Sequence, residues 1–178
     1  MKTRQQEKEL FRSERLLARQ LVPDDLQELF TVYSDPEAMV WVDDGQPIPY
    51  EDAVRWLAVT AENYRTRGYG MSALVLQDTG TIIGFCGLVH PGGQEEVEIK
   101  YAFKREYWGQ GFATETVRAM IAYGRAQHDM RYIMATTAPQ NSASHAVLLK
   151  AGFRRGALLD NADGSRTQVF EWHDGTEQ

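Results

Sequence analysis

Glu96-Val97-Glu98-Ile99-Lys100-Tyr101-Ala102-Phe103 leads through Lys104-Arg105-Glu106-Tyr107 into Trp108-Gly109-Gln110-Gly111-Phe112-Ala113-Thr114-Glu115. In the first segment Glu96, Glu98 and Lys100 alternate with Val97, Ile99, Tyr101 and Phe103, the period of a β-strand. Beyond the glycines, Ala113, Val117, Met120, Ile121 and Gly124 recur at helical spacing. A strand therefore runs through a glycine-rich turn straight into a helix. Such a turn points unpaired backbone N–H groups outward at the positive end of the helix dipole, which makes a site for an anion such as a pyrophosphate.

Two phosphate-binding patterns fail here. A Walker loop ends in Gly-Lys-Ser/Thr, and Gly111 is followed by Phe112. A dinucleotide fingerprint needs a third small residue where Thr114 stands and an acid after the next strand, where the chain has Thr136, Thr137 and Ala138. Taken alone, the residues also read as an ordinary glycine turn between strand and helix. The string resembles the acyl-CoA loop of the GCN5-related N-acetyltransferase (GNAT) superfamily, Gln/Arg-x-x-Gly-x-Gly/Ala, with Trp108 in place of the Gln/Arg. Tyr107-Trp108-Gly109-x-Gly111-x-Ala113-Thr114-Glu115 is similar to the form found in its RimJ/RimL-like branch. The resemblance implies that Trp108, Gly109, Gln110, Gly111, Phe112, Ala113 and Thr114 hold coenzyme A.

A chain of 178 residues with 43% hydrophobic content suits one globular domain, 1–178, with a polar and loose start at 1–8. A net charge of −6 argues against a nucleic-acid partner bound through phosphates. The single cysteine, Cys86, rules out an internal disulfide and is consistent with a reducing compartment. No apolar run has the length of a membrane span, and Met1–Leu10 does not read as a signal peptide. A soluble, cytoplasmic protein is expected.

Along the chain, Phe11–Arg19 reads as one strand with Ser13-Glu14-Arg15-Leu16 at its heart, similar to the opening strand of the same acetyltransferase branch. Pro23-Asp24-Asp25 starts a helix with Leu26, Leu29, Phe30 and Tyr33 on its apolar face, and Ser34-Asp35-Pro36-Glu37 starts a second, short one. Val42 to Tyr50, with Asp43, Asp44, Gly45, Pro47 and Pro49, must be a loop. A helix from Glu51 to about Arg65 presents Ala53, Trp56, Leu57 and Ala61 on one face. Strands at 72–77 and 81–90 follow, joined at Asp78-Thr79-Gly80, and then a strand at Arg131–Thr137. Asn141 caps a helix from Ser142 to Ala151 that Gly152 stops, and Arg154–Leu159 and Arg166–Trp172 make a final hairpin across Asn161–Gly164. The fold class expected is α/β, a single mixed, mostly antiparallel central sheet flanked by helices.

Asn141-Ser142-Ala143-Ser144, running on to Lys150-Ala151-Gly152-Phe153, resembles a second signature of the superfamily; alone, it is a capped helix with a glycine stop. In that family the asparagine lies near the pantetheine arm of acetyl-CoA and the thioester lies beside the anchor strand. Asn141 and the main chain of Tyr101, Ala102 and Phe103 are therefore further cofactor candidates. Glu98 occupies the strand position that carries a water-linked base in many relatives; its plainer role is a solvated polar face with Glu96 and Lys100. Asp160 precedes the last hairpin, where RimL-like relatives carry an acid, and could equally serve the turn. Many relatives place an acidic tyrosine where this chain has Leu148, which leaves Ser144 as the candidate proton donor, or as a helix-start residue only. Cys86 reads as core, since no histidine is paired with it in sequence, and His90, His128, His145 and His173 have no metal-ligand spacing. Trp41, Tyr50 and Trp56 stand near the acceptor-side loop and read either as walls of an amine pocket or as core.

The resemblance implies acetyl-CoA-dependent transfer to an amine in a ternary complex, without a metal. The acceptor is a protein α-amino group or a small amine, and the family admits a homodimer. The alternative from another class is an acyl-CoA-binding or sensor domain without chemistry, supported only by Leu148.

Overall fold

Alternation and helical spacing place the elements, and the pairing of strands then decides where a ligand can enter. The computed structural model describes residues 7–42 and 45–175. Residues 1–6 of the start expected to be loose, and Asp43 and Asp44 of the loop after Val42, lie outside the described residues. Lys8 is tied down, since its carbonyl accepts the Gln20 N–H at 2.9 Å.

The strands are β1 (Glu9–Arg12), β2 (Leu16–Gln20), β3 (Met71–Leu76), β4 (Ile82–Val89), β5 (Glu98–Phe103), β6 (Tyr132–Thr137), β7 (Arg154–Asp160) and β8 (Arg166–His173). The α-helices are α1 (Leu26–Tyr33), α2 (Pro36–Met39), α3 (Tyr50–Arg67), α4 (Phe112–His128) and α5 (Ser142–Lys150). One mixed sheet runs in the order β1-β2-β3-β4-β5-β6-β8-β7. Every pairing is antiparallel except β5 with β6, the two strands that α4 connects as a crossover. The expected mixed, mostly antiparallel sheet is what forms.

Each face of the sheet buries its own cluster. Val97, just before β5, and Ile99 and Phe103 of β5 pack with Val117, Met120 and Ile121 of α4, Leu148 of α5 and Phe170 of β8. On the other face Ala73, Phe85 and Ala102 meet Leu29, Val32 and Tyr33 of α1, Met39 of α2 and Ala53 of α3. Gly124 lets α4 lie close to the sheet: a Cβ there would come within 2.8 Å of Met130 Sδ and 2.9 Å of Leu88 Cδ1. Where β2 hands over to α1, Arg19 and Asp25 are both buried and joined by two bonds of 2.8 and 2.9 Å. Such a pair adds little net stability, but either partner alone would be a costly buried charge, so it fixes the angle at which the chain leaves the sheet.

Two expectations need correction. The strand expected over Phe11–Arg19 is broken into β1 and β2, because Ser13, Glu14 and Arg15 form a turn closed by Ser13 N–H to the Leu16 carbonyl at 2.9 Å. The turn is pulled out of the strand by bonds to Glu115, described below. On α3 the inward stripe is Ala53, Trp56, Leu57 and Thr60, spaced i, i+3, i+4 and i+7, and Ala61 falls outside it and is exposed.

Candidate active site

Gly109 and Gly111 have φ of 71° and 82°, the left-handed region that costs glycine nothing. A Cβ would meet nothing within 4 Å at Gly109, and only Arg15 Nη2, at 3.5 Å, at Gly111. Backbone conformation, not crowding, asks for glycine at both. Gly111 is the N-cap of α4 and supplies no capping side chain. The first helical bond is Glu115 N–H to the Gly111 carbonyl, so the amides of Phe112, Ala113 and Thr114 lie ahead of the ladder at the positive end of the helix.

The loop is locked from a hundred residues away. Glu115 accepts from Ser13 Oγ at 2.6 Å, Arg15 N–H at 2.9 Å and Arg15 Nε at 2.8 Å. Arg15 also donates to the Gln110 carbonyl at 3.0 Å and lies over the Phe112 ring, 3.9 Å from its centroid. Burial alone would raise the Glu115 pKa; the Ser13 and Arg15 donors outweigh it and hold the carboxyl below its usual range. The lock joins the two motifs, Ser13-Glu14-Arg15-Leu16 and Ala113-Thr114-Glu115, that sequence could only set side by side. A groove of about 650 Å³ runs along it, and Arg15, Arg118 and Lys150 contribute cations to its lining. Phe112 is itself buried in the core, so only its amide faces the turn; Trp108 and Gln110 are exposed and brace the loop by donating to the Phe103 and Glu106 carbonyls at 2.9 Å each.

Beside the loop the sheet is split. β5 and β6 share a single rung, Glu98 opposite Met134, with the Met134 N–H on the Val97 carbonyl at 2.9 Å. Backbone groups of successive residues alternate in direction along a strand. Lys104 donates to Ile83 of β4, so the even-numbered residues of β5 face β4 and the odd-numbered ones face β6; the Glu98–Met134 rung takes up Ile99, and Tyr101 and Phe103 turn their main-chain groups toward the opening. Ala102, expected to join Tyr101 and Phe103 there, turns its groups to Phe85 on β4 instead. The Phe103 carbonyl is already taken by Trp108.

The opening is flanked by two groups that can move protons. On the α5 side, Asn141 caps the helix by accepting the Ser144 N–H at 3.2 Å, and the Ser144 hydroxyl lies 2.6 Å from the Tyr101 hydroxyl. Burial pushes the Tyr101 phenol up to about 12, against the opposing pull of Ser144, so it stays protonated at neutral pH. The sequence marked Tyr101 for its main chain only; nothing in the spacing links residue 101 to 144. On the other side Glu98 is buried. Its Oε1 accepts Thr136 Oγ1 at 2.5 Å and pairs with Lys100 Nζ at 2.9 Å, while Oε2 has the Gln94 amide at 3.5 Å. Of the polar face expected from Glu96, Glu98 and Lys100, Glu96 alone is exposed, and Glu98 is drawn inside by the residues of β6.

Lys104 and Arg105 tie this region to the other face of the sheet: Lys104 pairs with Glu28 of α1, and Arg105 holds Asp35 at the start of α2 by bonds of 3.0 and 2.7 Å. The Arg105 guanidinium lowers the Asp35 pKa. Asp160 is exposed at the end of β7 and pairs with Arg166 at 2.8 Å; among the described residues no hydrogen bond or ion pair joins it to Glu98 or Ser144. Cys86 is fully buried, and burial raises its thiol pKa, which fits core. His145, one of the histidines without metal-ligand spacing, is buried and meets Thr137, the Ala138 carbonyl and Arg155. Trp56 packs edge-on against Tyr33, whereas Trp41 and Tyr50 are exposed. Among the described residues, no helix is long and apolar enough to cross a membrane.

A family model described as Acetyltransferase (GNAT) domain matches residues 15–154. The chain is 27% identical over 152 residues to a Bacillus subtilis (strain 168) protein named Uncharacterized N-acetyltransferase YoaA, covering 84% of this chain and 85% of that one. In fold it is similar to RimL, a ribosomal alpha-N-protein acetyltransferase solved in complex with coenzyme A, with a TM-score of 0.80 at 17% identity over 96% of this chain and 100% of that one. It is similar also to the spermidine N-acetyltransferase from Vibrio cholerae solved with CoA and spermine, with a TM-score of 0.74 at 15% identity over 89% and 95%. A family model spanning most of the length, laid over a sheet that opens beside a locked glycine loop, means that this chain belongs to the GNAT acetyltransferases, with RimL among its neighbours in fold.

Proposed function

We propose that this protein transfers an acetyl group from acetyl-CoA to a primary amine by direct attack in a ternary complex, the acceptor being a protein N-terminal α-amino group or a small-molecule amine. The residues present suit an acyl-CoA. The uncapped start of α4 and its two left-handed glycines match a pyrophosphate, and Arg15, Arg118 and Lys150 supply cations along the adjoining groove. Asn141 stands at the cap of α5, on the same side of the opening as Ser144. When bound, acetyl-CoA supplies a thioester whose acyl carbon is open to a neutral amine.

The chain's own residues then divide the work. Glu98 takes the proton from the incoming ammonium. The outward N–H of Tyr101 would donate to the acyl oxygen, which gains charge as the N–C bond forms and gives it up as the C–S bond breaks. Ser144, backed by the Tyr101 phenol, returns a proton to the departing sulfur. The phenol at 101 stands in for the tyrosine absent at Leu148, which is a fully buried core residue here. Asp160 is the second candidate for the base, on the strength of its place before the last hairpin. The observation that carries the proposal is a buried carboxylate and a hydroxyl pair flanking a strand edge with open main-chain donors. The test is release of CoA thiol from acetyl-CoA across peptide N-termini, polyamines and other small amines. Release with at least one acceptor is expected. Tight CoA binding with no release from any amine would make the chain a non-catalytic acyl-CoA-binding domain.

A further inference from the structure

Glu98 has two unlike oxygens. Among the described residues, Oε1 is occupied by the Thr136 hydroxyl and the Lys100 ammonium, while Oε2 keeps only the long Gln94 contact. An acceptor ammonium giving up its proton to Glu98 must therefore come to Oε2, and it arrives beside a second cation on the same carboxylate. At an effective dielectric near 20, two like charges about 5 Å apart repel enough to cost roughly two orders of magnitude in affinity. Lys100 is fixed on the strand two residues from Glu98, its side chain 37% exposed, so it can turn its ammonium toward a ligand but cannot leave the site. The repulsion is removed when the acceptor carries its own anion next to its amine.

We propose that Lys100 and Glu98 together select a zwitterion, so that the acceptor is a free amino acid whose carboxylate pairs with Lys100 Nζ while its ammonium meets Glu98 Oε2. The proposal rests on the acetyltransferase assignment above and narrows it. A polyamine brings more positive charge to Lys100, and a peptide N-terminus offers an uncharged amide where the carboxylate should be. Both are poorer matches.

The experiment measures kcat/KM by thiol release for L-amino acids, their α-amides, spermidine and a tripeptide, in the parent and in Lys100→Gln. Calorimetric titration of the same amines into the CoA complex is run in parallel. The expected result is at least a tenfold preference of the parent for the best amino acid over its own amide, falling to below threefold in Lys100→Gln. A lysine with a merely structural role would lower both acceptors together and leave the ratio alone. Amides, spermidine or the tripeptide acetylated as well as the amino acids would overturn the proposal and leave the acetyltransferase assignment standing. If no amine is acetylated, that assignment fails by itself. The zwitterion site is then supported by carboxylate-dependent binding in the titration and overturned by its absence.

Discussion

Glu115 and Glu98 are both carboxylates withdrawn from water, with side chains 14% and 4% exposed. Around Glu115 each oxygen has a short partner, from Ser13 and Arg15, all contributed by one turn. Around Glu98 one oxygen is crowded and the other is almost unused, and its strongest partner is a lysine that can move. A carboxylate whose lone pairs are filled by its own chain is a strut, since nothing is left for a substrate. One left half satisfied inside a protein is costly to keep, and reacting is a use that repays the cost.

Substitutions at the two sites should accordingly damage different properties. The largest effect is expected from Glu98→Gln, which keeps the shape and the Thr136 contact but cannot take a proton. Turnover should fall by roughly two to four orders of magnitude with CoA affinity nearly unchanged. Asp160→Asn, in an exposed ion pair, should cost little. A loss below about fivefold for Glu98→Gln together with a severe loss for Asp160→Asn would move the base to the β7–β8 hairpin.

Next comes Gly111→Val, in which a β-branched residue is forced to φ of 82° at the start of α4. The strain is of the order of 1–2 kcal/mol, which the fold can absorb. CoA affinity should drop by about a hundredfold or more, because the backbone can no longer lie against a pyrophosphate. Unchanged affinity by calorimetry, in a variant folded by circular dichroism, would remove the loop from the cofactor site.

A smaller effect belongs to the hydroxyl pair. Single-turnover transfer by Ser144→Ala at saturating acetyl-CoA should slow by about ten- to a hundredfold, since a thiol with a pKa of roughly 8.5 leaves with little help. Tyr101→Phe should act in the same direction and should not add fully to Ser144→Ala, as the two hydroxyls share one bond. Ser142→Ala is the control on the same helix, and parent rates for all three would reduce Ser144 to a helix-start residue.

The smallest effect on the chemical step is expected at the strut. Glu115→Gln should cost about 1–2 kcal/mol of stability, allowing for the partly exposed Arg15, with a severalfold loss of CoA affinity and little change in single-turnover rate. Its folded pKa is lowered, so its contribution is present above the titration range of the unfolded carboxyl and disappears as pH falls through the folded value. Parent and variant should therefore differ most at neutral pH and converge only once the pH has fallen below the lowered folded value. A turnover loss equal to that of Glu98→Gln would erase the distinction between the two carboxylates.

Periodicity and turn chemistry were enough to read most of the elements, because a strand such as Glu98–Phe103, expected two residues early at Glu96, and a stop such as Gly152 are decided by neighbours in sequence. The glycine loop and the Asn141 cap were legible for the same reason. What could not be read were groups whose partners lie far along the chain. Ser13 and Arg15 look like strand residues until Glu115, a hundred positions later, bends them into a turn. Thr136 and Lys100 look like ordinary polar residues until the sheet sets them on Glu98. Alternation gave the wrong environment for Glu98 because it assumes that one face of the strand meets water, whereas both faces of β5 are covered.

With one rung between β5 and β6, a strand fifth of eight in the sheet carries two kinds of amide. Lys100 and Ala102 are held by β4, and their hydrogens should exchange with deuterium slowly. Tyr101 and Phe103 face the opening, and theirs should exchange fast, so that the strand reads as a comb of alternating slow and fast teeth. A ligand laid along that edge would slow the fast teeth and leave the slow ones as they were. Isotope uptake at Tyr101 and Phe103 then reports occupancy of the cleft directly, in a protein whose acceptor need not be known and with no reaction taking place.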